Sequence, residues 1–122
     1  MIEDYFEDIE VLAIKEGSDE LGSYTTYYEK LGTVRGLLQR SSSTERMIAA
    51  QKGLADSYTF MTKPKDNNGI VINTDTIVKS DTIIARINSS ELPGQKESEE
   101  MKDISQWMAS SYVLVAGAEV RG

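Results

Sequence analysis

The stretch from Thr76 to Ile87 constrains the fold most. Thr76-Ile77-Val78 and Thr82-Ile83-Ile84-Ala85-Arg86-Ile87 are two runs rich in β-branched residues, joined by the polar Lys79-Ser80-Asp81. Side chains branched at Cβ lose rotamer freedom in a helix and pack well on a pleated surface, so the segment reads as two strands with a tight turn.

Other segments carry the same period. In Ile9-Glu10-Val11-Leu12-Ala13-Ile14, Ile9, Val11 and Ala13 share one face while Leu12 and Ile14 share the other, which predicts a short strand covered on both sides. Lys15 to Ser23 is rich in glycine and short polar residues and is expected to be a hairpin loop. Tyr24 to Gln39 predicts a long strand with a bulge near Gly32 or Gly36. Ser57-Tyr58-Thr59-Phe60-Met61-Thr62 alternates as a strand, Pro64 to Gly69 is a turn with an Asn-Gly step, and Ile104 to Val115 predicts the last strand, with Trp107 in the core. The tail from Ala116 to Gly122 has little to bury and is expected to be loose.

One segment departs from this period. Ser42-Ser43-Thr44-Glu45 has capping-box spacing, and the helix formers from Arg46 to Lys52 end at Gly53. Two turns are marginal in isolation, so this helix must dock through Met47, Ile48 and Gln51 or be ordered by a partner. The fold expected is mainly β: a single domain built as a small antiparallel β-barrel or sandwich of about six strands, with one short helix inserted after the second strand. Residues 1–8 form an N-terminal arm, 40–56 the helical insertion, 91–103 an acidic loop and 116–122 the tail.

At 122 residues the protein has room for one core, so an enzyme with an interdomain cleft is excluded. Without histidine or cysteine it lacks the usual imidazole base, thiol nucleophile and thiolate zinc site. An enzyme is the least expected class, and no cofactor is implied. The acidic opening Glu3, Asp4, Glu7, Asp8 and Glu10 is unlike a secretory leader, and no apolar run is long enough to span a bilayer, so no membrane partner is expected.

The net charge of -7 is uneven. Residues 1–31 carry -7 and 91–103 carry -3, whereas 32–65 carry +4 through Arg35, Arg40, Arg46, Lys52, Lys63 and Lys65. Such polarity suits subunits packing acidic edge against basic edge, and equally suits ordinary solvated faces. Glu97, Glu99, Glu100 and Asp103 lack the spacing and glycine of a calcium loop, as Asp66-Asn67-Asn68-Gly69 lacks its distal glutamate. Tyr24, Tyr27 and Tyr28 could stack bases, but strand tyrosines more often pack on a core.

The order of elements resembles the head-tail joining proteins of tailed phages, and more narrowly their head-closure or stopper branch in siphophages. The residues that carry the likeness are Gly22-Ser23-Tyr24, Ser42 to Gln51 with its Ser-x-x-Glu and Ala-Ala-Gln, Ser57 to Thr62, and the Thr76 to Ile87 hairpin. Family members commonly show an arginine in the strand placed here at 57–62 and a basic or glycine turn in the hairpin; this sequence has Met61-Thr62 and Lys79-Ser80-Asp81.

The resemblance implies a non-enzymatic virion protein made in the host cytoplasm. It would form a homo-oligomeric ring, a dodecamer following portal symmetry, below the portal-side adaptor, and would close the DNA-filled head and receive the tail terminator or other tail proteins. The segment corresponding to Arg40 through Asp56 would face a neighbour or the channel and its packaged DNA, through Arg40, Arg46, Met47, Ile48, Gln51 and Lys52. Glu3, Asp4, Glu7, Asp8, Glu97, Glu99 and Glu100 would meet adjoining rings or the tail. A tail-completion or tail-terminator protein is the nearest alternative. An acidic DNA mimic that inhibits a host nuclease is the alternative from another class, against which the +4 segment speaks.

Overall fold

The computed structural model describes residues 2–18, 21–40, 57–91 and 103–122. Alternation of apolar and polar residues becomes seven strands in one sheet: β1 (Glu7–Ser18), β2 (Tyr24–Arg40), β3 (Ser57–Thr62), β4 (Ile77–Lys79), β5 (Ile84–Ile87), β6 (Ser105–Ser111) and β7 (Val120–Arg121). The protein is mainly β. β1, β4, β5, β6, β3 and β2 pair in that order, each antiparallel to its neighbour, and β2 pairs back to β1, so the six strands close a ring. Closure leaves few free strand edges, which is how a small β protein avoids pairing with other molecules.

The inward faces meet in one core of Ile9 and Val11, Val34 and Leu38, Phe60, Val78, Ala85 and Ile87, Trp107 and Ala109, with Ile72 added from the loop before β4. Phe60 and Trp107 sit opposite each other on β3 and β6, with ring centroids 5.8 Å apart. β1 is covered on its outer face too. Leu12 and Ile14 pack with Tyr28, Ile77, Ile84, Tyr112, Leu114 and Ala118. A third cluster, Phe6, Met61 and Ile104 with Leu37, ties the N-terminal 3-10 turn (Ile2–Tyr5) to the root of β6.

β2 is long because it serves two partners. Tyr24 to Gly36 pairs with β1, and Gly36 to Arg40 pairs with β3. The expected bulge is present: Val11 faces Gly32 but Leu12 faces Lys30, leaving Leu31 as the extra residue. Gly32 has φ +145°, so the backbone angle calls for glycine, and a Cβ there would also press on the movable tip of Ile70, at 2.7 Å from Cδ1.

Several boundaries differ from expectation. β1 starts at Glu7 and runs to Ser18, so Glu7 and Asp8 belong to a strand instead of a free arm, and Lys15 to Ser18 pair with Tyr24 to Tyr27 instead of looping. The β4–β5 turn is Ser80 to Ile83, closed by Ser80 N–H donating to the Ile83 carbonyl (2.8 Å) and by the Ser80 hydroxyl accepting from Ile83 N–H (3.0 Å). β6 ends at Ser111, after which Val113 is exposed.

The tail is not loose. It crosses the outer face and adds β7 parallel to β2, Tyr28 facing Val120 and Glu29 facing Arg121. The apolar residues Leu114 and Ala118, few as they are, find an outer patch to cover. The predicted helix lies outside the described residues. Among those described, no helix is long and apolar enough to cross a membrane.

Candidate functional site

The β3–β6 pair organises the charged segments. Ser57 faces Ser110 and Thr62 faces Ser105, so the segment entering β3 and the segment entering β6 are rooted at opposite ends of the pair. At about 3.4 Å per residue the ends are separated by roughly 17 Å. Arg40, exposed, closes β2 opposite Tyr58 and stands at the first end. Arg46, Met47, Ile48, Gln51 and Lys52 follow it in sequence but lie outside the described residues.

The other end carries acids. Glu7 faces Gly36, which also faces Thr62, and Phe6 packs on Met61 and Ile104. This brings Asp4, Glu7 and Asp8, all exposed, toward Asp103 and the root of β6. Glu3 lies in the adjoining 3-10 turn. Glu91 accepts a hydrogen bond from the Ser105 hydroxyl (2.6 Å), while Glu97, Glu99 and Glu100 lie outside the described residues.

Part of the charge asymmetry is neutralised within the molecule. Arg35 bonds Asp8 through Nη1 (3.2 Å) and donates from Nη2 to the Phe6 carbonyl (2.6 Å). Lys65 pairs with Asp103 (3.5 Å). The central bases are therefore divided: Arg35 and Lys65 serve the acidic end, and Arg40 lies at the other. Linear charge counting misses this division because β2 and β3 run antiparallel, which returns the two ends of the basic stretch, at Arg35 and Lys65, to one place and leaves Arg40 at the other.

Two open concavities flank β1. One, of about 350 Å³, is lined by Asp8, Glu10, Thr33, Lys79, Ser80 and Asp81. The other, of about 510 Å³, lies between Ala13, Lys15 and Leu31 on one side and the Asn68–Val71 loop on the other. Among the described residues, no group of three or more potential ligands is arranged to hold a metal ion.

The three tyrosines of β2 do not form one platform. Tyr28 is fully buried, Tyr27 lies under the Arg121 guanidinium at 4.0 Å, and Tyr24 is 82% exposed. Burial of Trp107 in the core matches its expected place. Sequence reasoning did not single out Tyr112. Its phenol is pushed up to about 12, first by desolvation and then by its hydrogen bond to Tyr28 and the charge of that neighbour.

No protein-family model matches the sequence, and no curated protein matches it either. The fold is similar to the solution structure of protein SF1141 from Shigella flexneri 2a, with a TM-score of 0.61 over 89% of this protein and 94% of that one at 16% identity. At that identity the likeness shows the fold alone.

Proposed function

We propose that this protein is a structural subunit of a tailed-phage head-to-tail connector, of the head-closure type, working by assembly into a ring below the portal-side adaptor. The observation that supports this most is the unequal placement of its charged segments: Arg40 and the root of the 40–56 insertion, with three bases and two acids, at one end of the β3–β6 pair, the acidic N-terminus and Asp103 at the other. A closed ring of strands is a rigid spacer, and an acidic end opposite a nearly neutral one that carries Arg40 gives a subunit that stacks in one direction between unlike neighbours. In this reading Arg40, Arg46 and Lys52 meet the neighbouring subunit or the DNA channel, and Met47 and Ile48 pack between subunits. Asp4, Glu7, Glu97, Glu99 and Glu100 meet the adjoining ring.

The test is electron microscopy of particles lacking this gene, with their DNA content assayed. DNA-leaking heads beside complete, unattached tails are the expected result. Overlong or defective tails would replace head closure with tail termination. Intact infectious virions would overturn the connector reading and leave the acidic DNA mimic to be tested against host nucleases.

A further inference from the structure

The loop between β3 and β4 carries a chemically unstable step. Asn68-Gly69 is the one Asn-Gly dipeptide in the sequence. Its two residues form the tip of a turn in which Ile70 N–H donates to the Asn67 carbonyl (2.9 Å). Asn68 has φ +54° and Gly69 φ +80°, the pair of left-handed angles that defines a type I′ turn. Both residues are exposed, and the space where a Gly69 Cβ would lie is empty to 4 Å. Among the described residues the Asn68 amide group makes no hydrogen bond, and the Gly69 N–H makes none.

We propose that Asn68 is a site of spontaneous deamidation in the folded protein. The Gly69 amide nitrogen, after losing its proton to base, attacks Asn68 Cγ. The new bond from that nitrogen to Cγ forms as the bond from Cγ to Nδ2 breaks, and ammonia leaves. Water then opens the five-membered succinimide at either carbonyl, giving aspartate or isoaspartate. The net change is one amide and one water converted to one carboxylate and one ammonium, with no redox partner.

Turn geometry decides whether this can happen without unfolding. A nearly planar succinimide needs the Gly69 nitrogen to eclipse Asn68 Cβ, which places ψ of residue 68 near about -120°. Type I′ has ψ near about +30° there, but type II′, with about (+60°, -120°) at the same residue, has the required value. Interconversion of the two is a flip of the single 68–69 peptide. It keeps φ of Asn68 positive, keeps the Asn67–Ile70 closing bond, and lets residue 69 pass from positive to negative φ, which glycine does freely; its cost is the strain of holding Asn68 where a II′ turn favours glycine. The reactive geometry is one peptide rotation from the resting one.

The other asparagines lack this route. Asn67 is buried, with its amide oxygen accepting from the Thr62 hydroxyl (2.8 Å); Asn88 donates to Ser110; Asn73 precedes a threonine, whose branched Cβ obstructs attack. The isoaspartate product would lengthen the backbone by one carbon between Asn67 and Ile70, and Ile70 is the residue that packs over the Gly32 bulge.

The experiment is peptide mapping by mass spectrometry of the purified full-length protein, incubated folded and separately unfolded in urea, at neutral and mildly alkaline pH. Isoaspartate is scored by enzymatic methylation. The expected result is conversion confined to Asn68 in the folded protein, accelerating with pH, at a rate within about a hundredfold of the unfolded sample, the factor that strain at one residue can cost. Asn68→Gln, which would need a six-membered ring, abolishes the signal while circular dichroism reports the same fold. Asn68 remaining intact in the folded protein while the urea sample converts would overturn the proposal, as would equal conversion at Asn73 or Asn88.

Discussion

The hydroxyls of Tyr28 and Tyr112 lie 2.7 Å apart, and the Tyr28 oxygen also accepts from Val115 N–H at 2.9 Å. A fully buried residue of β2 thereby fixes the segment that leaves β6, and the Tyr28 backbone N–H, donating to the Glu119 carbonyl (2.8 Å), fixes the segment that becomes β7. One residue holds the tail at two points. The tail in turn covers Leu12, Ile77 and Ile84, which otherwise would face water.

Tyr28→Phe keeps the ring and removes the hydroxyl, leaving the Val115 N–H without its acceptor. A loss of about 1–2 kcal/mol is expected, in the range for removing one partner of a part-buried hydrogen bond. Tyr112→Phe, which leaves Tyr28 able to accept from Val115, should cost about half as much. Urea denaturation measures both, and amide exchange at Val115 should rise in Tyr28→Phe alone. Equal exchange in the two variants would show that the hydroxyl does not anchor the tail.

Tyr112 also sets an alkaline limit. Its phenol titrates at about 12 in the folded protein against 10.0 unfolded, so the fold prefers the neutral form. That contribution is fully present below pH 10 and is lost as pH rises through about 12. Melting temperature should therefore fall over this window more steeply in the parent than in Tyr112→Phe. Identical profiles would remove Tyr112 as the cause.

How much of this is readable in advance depends on where each partner sits. Ser57–Thr62 and the β4–β5 hairpin are legible because a local period of two carries the information, and the β2 bulge because glycine marks it. The tail is not legible, since Ala118 and Val120 stand outside any periodic run and their partners, Leu12 and Tyr28 among them, come from the far end of the sequence. The charged surface fails similarly. Arg35, Arg40 and Lys65 look like one basic stretch in sequence, but the reversal between β2 and β3 gives Arg35 and Lys65 to the acids. Of the candidate residues, Arg40 closes β2, and Glu7 and Asp8 lie in β1 instead of the free arm the sequence suggests.

Gly36 sits where β2 passes from one partner to the other, and the reason is space. A Cβ there would lie 2.6 Å from the Met61 carbonyl oxygen and 3.2 Å from the Phe60 ring. Backbone cannot yield as a flexible side group does, so Gly36→Ala is expected to cost about 1–3 kcal/mol, as overpacking does. Gly17→Ala is the matched control. Its Cβ would meet the Tyr27 ring at 3.3 Å, half-buried and able to shift, and the change should be neutral or stabilise by up to about 1 kcal/mol through the unfolded state. Chemical denaturation of the pair decides it, and equal losses would refute the distinction.

Arg35 separates charge from anchoring. Its pair with Asp8 is exposed on both sides and is worth about 0–1 kcal/mol, whereas its bond to the Phe6 carbonyl holds the N-terminal turn over the Met61–Ile104 cluster. Asp8→Ala should therefore change stability little. Arg35→Ala should cost about 1–2 kcal/mol and should expose Phe6 to proteolysis of the N-terminus. Proteolysis unchanged in Arg35→Ala would assign the anchoring to the apolar contacts alone.

The last prediction concerns assembly. Arg40 is exposed at the end of β2, so Arg40→Glu should leave the monomer's stability within about 1 kcal/mol, as surface changes do, and in the connector reading the triple replacement of Arg40, Arg46 and Lys52 by glutamate is expected to do the same. In the connector reading the same change turns an attraction between neighbouring subunits, or between subunit and DNA, into repulsion. Light scattering and negative-stain microscopy should then show monomers where the parent forms rings. Rings unaffected by the triple reversal would move the contact away from the Arg40 end, and a melted monomer would show that these side chains serve the fold instead of the assembly.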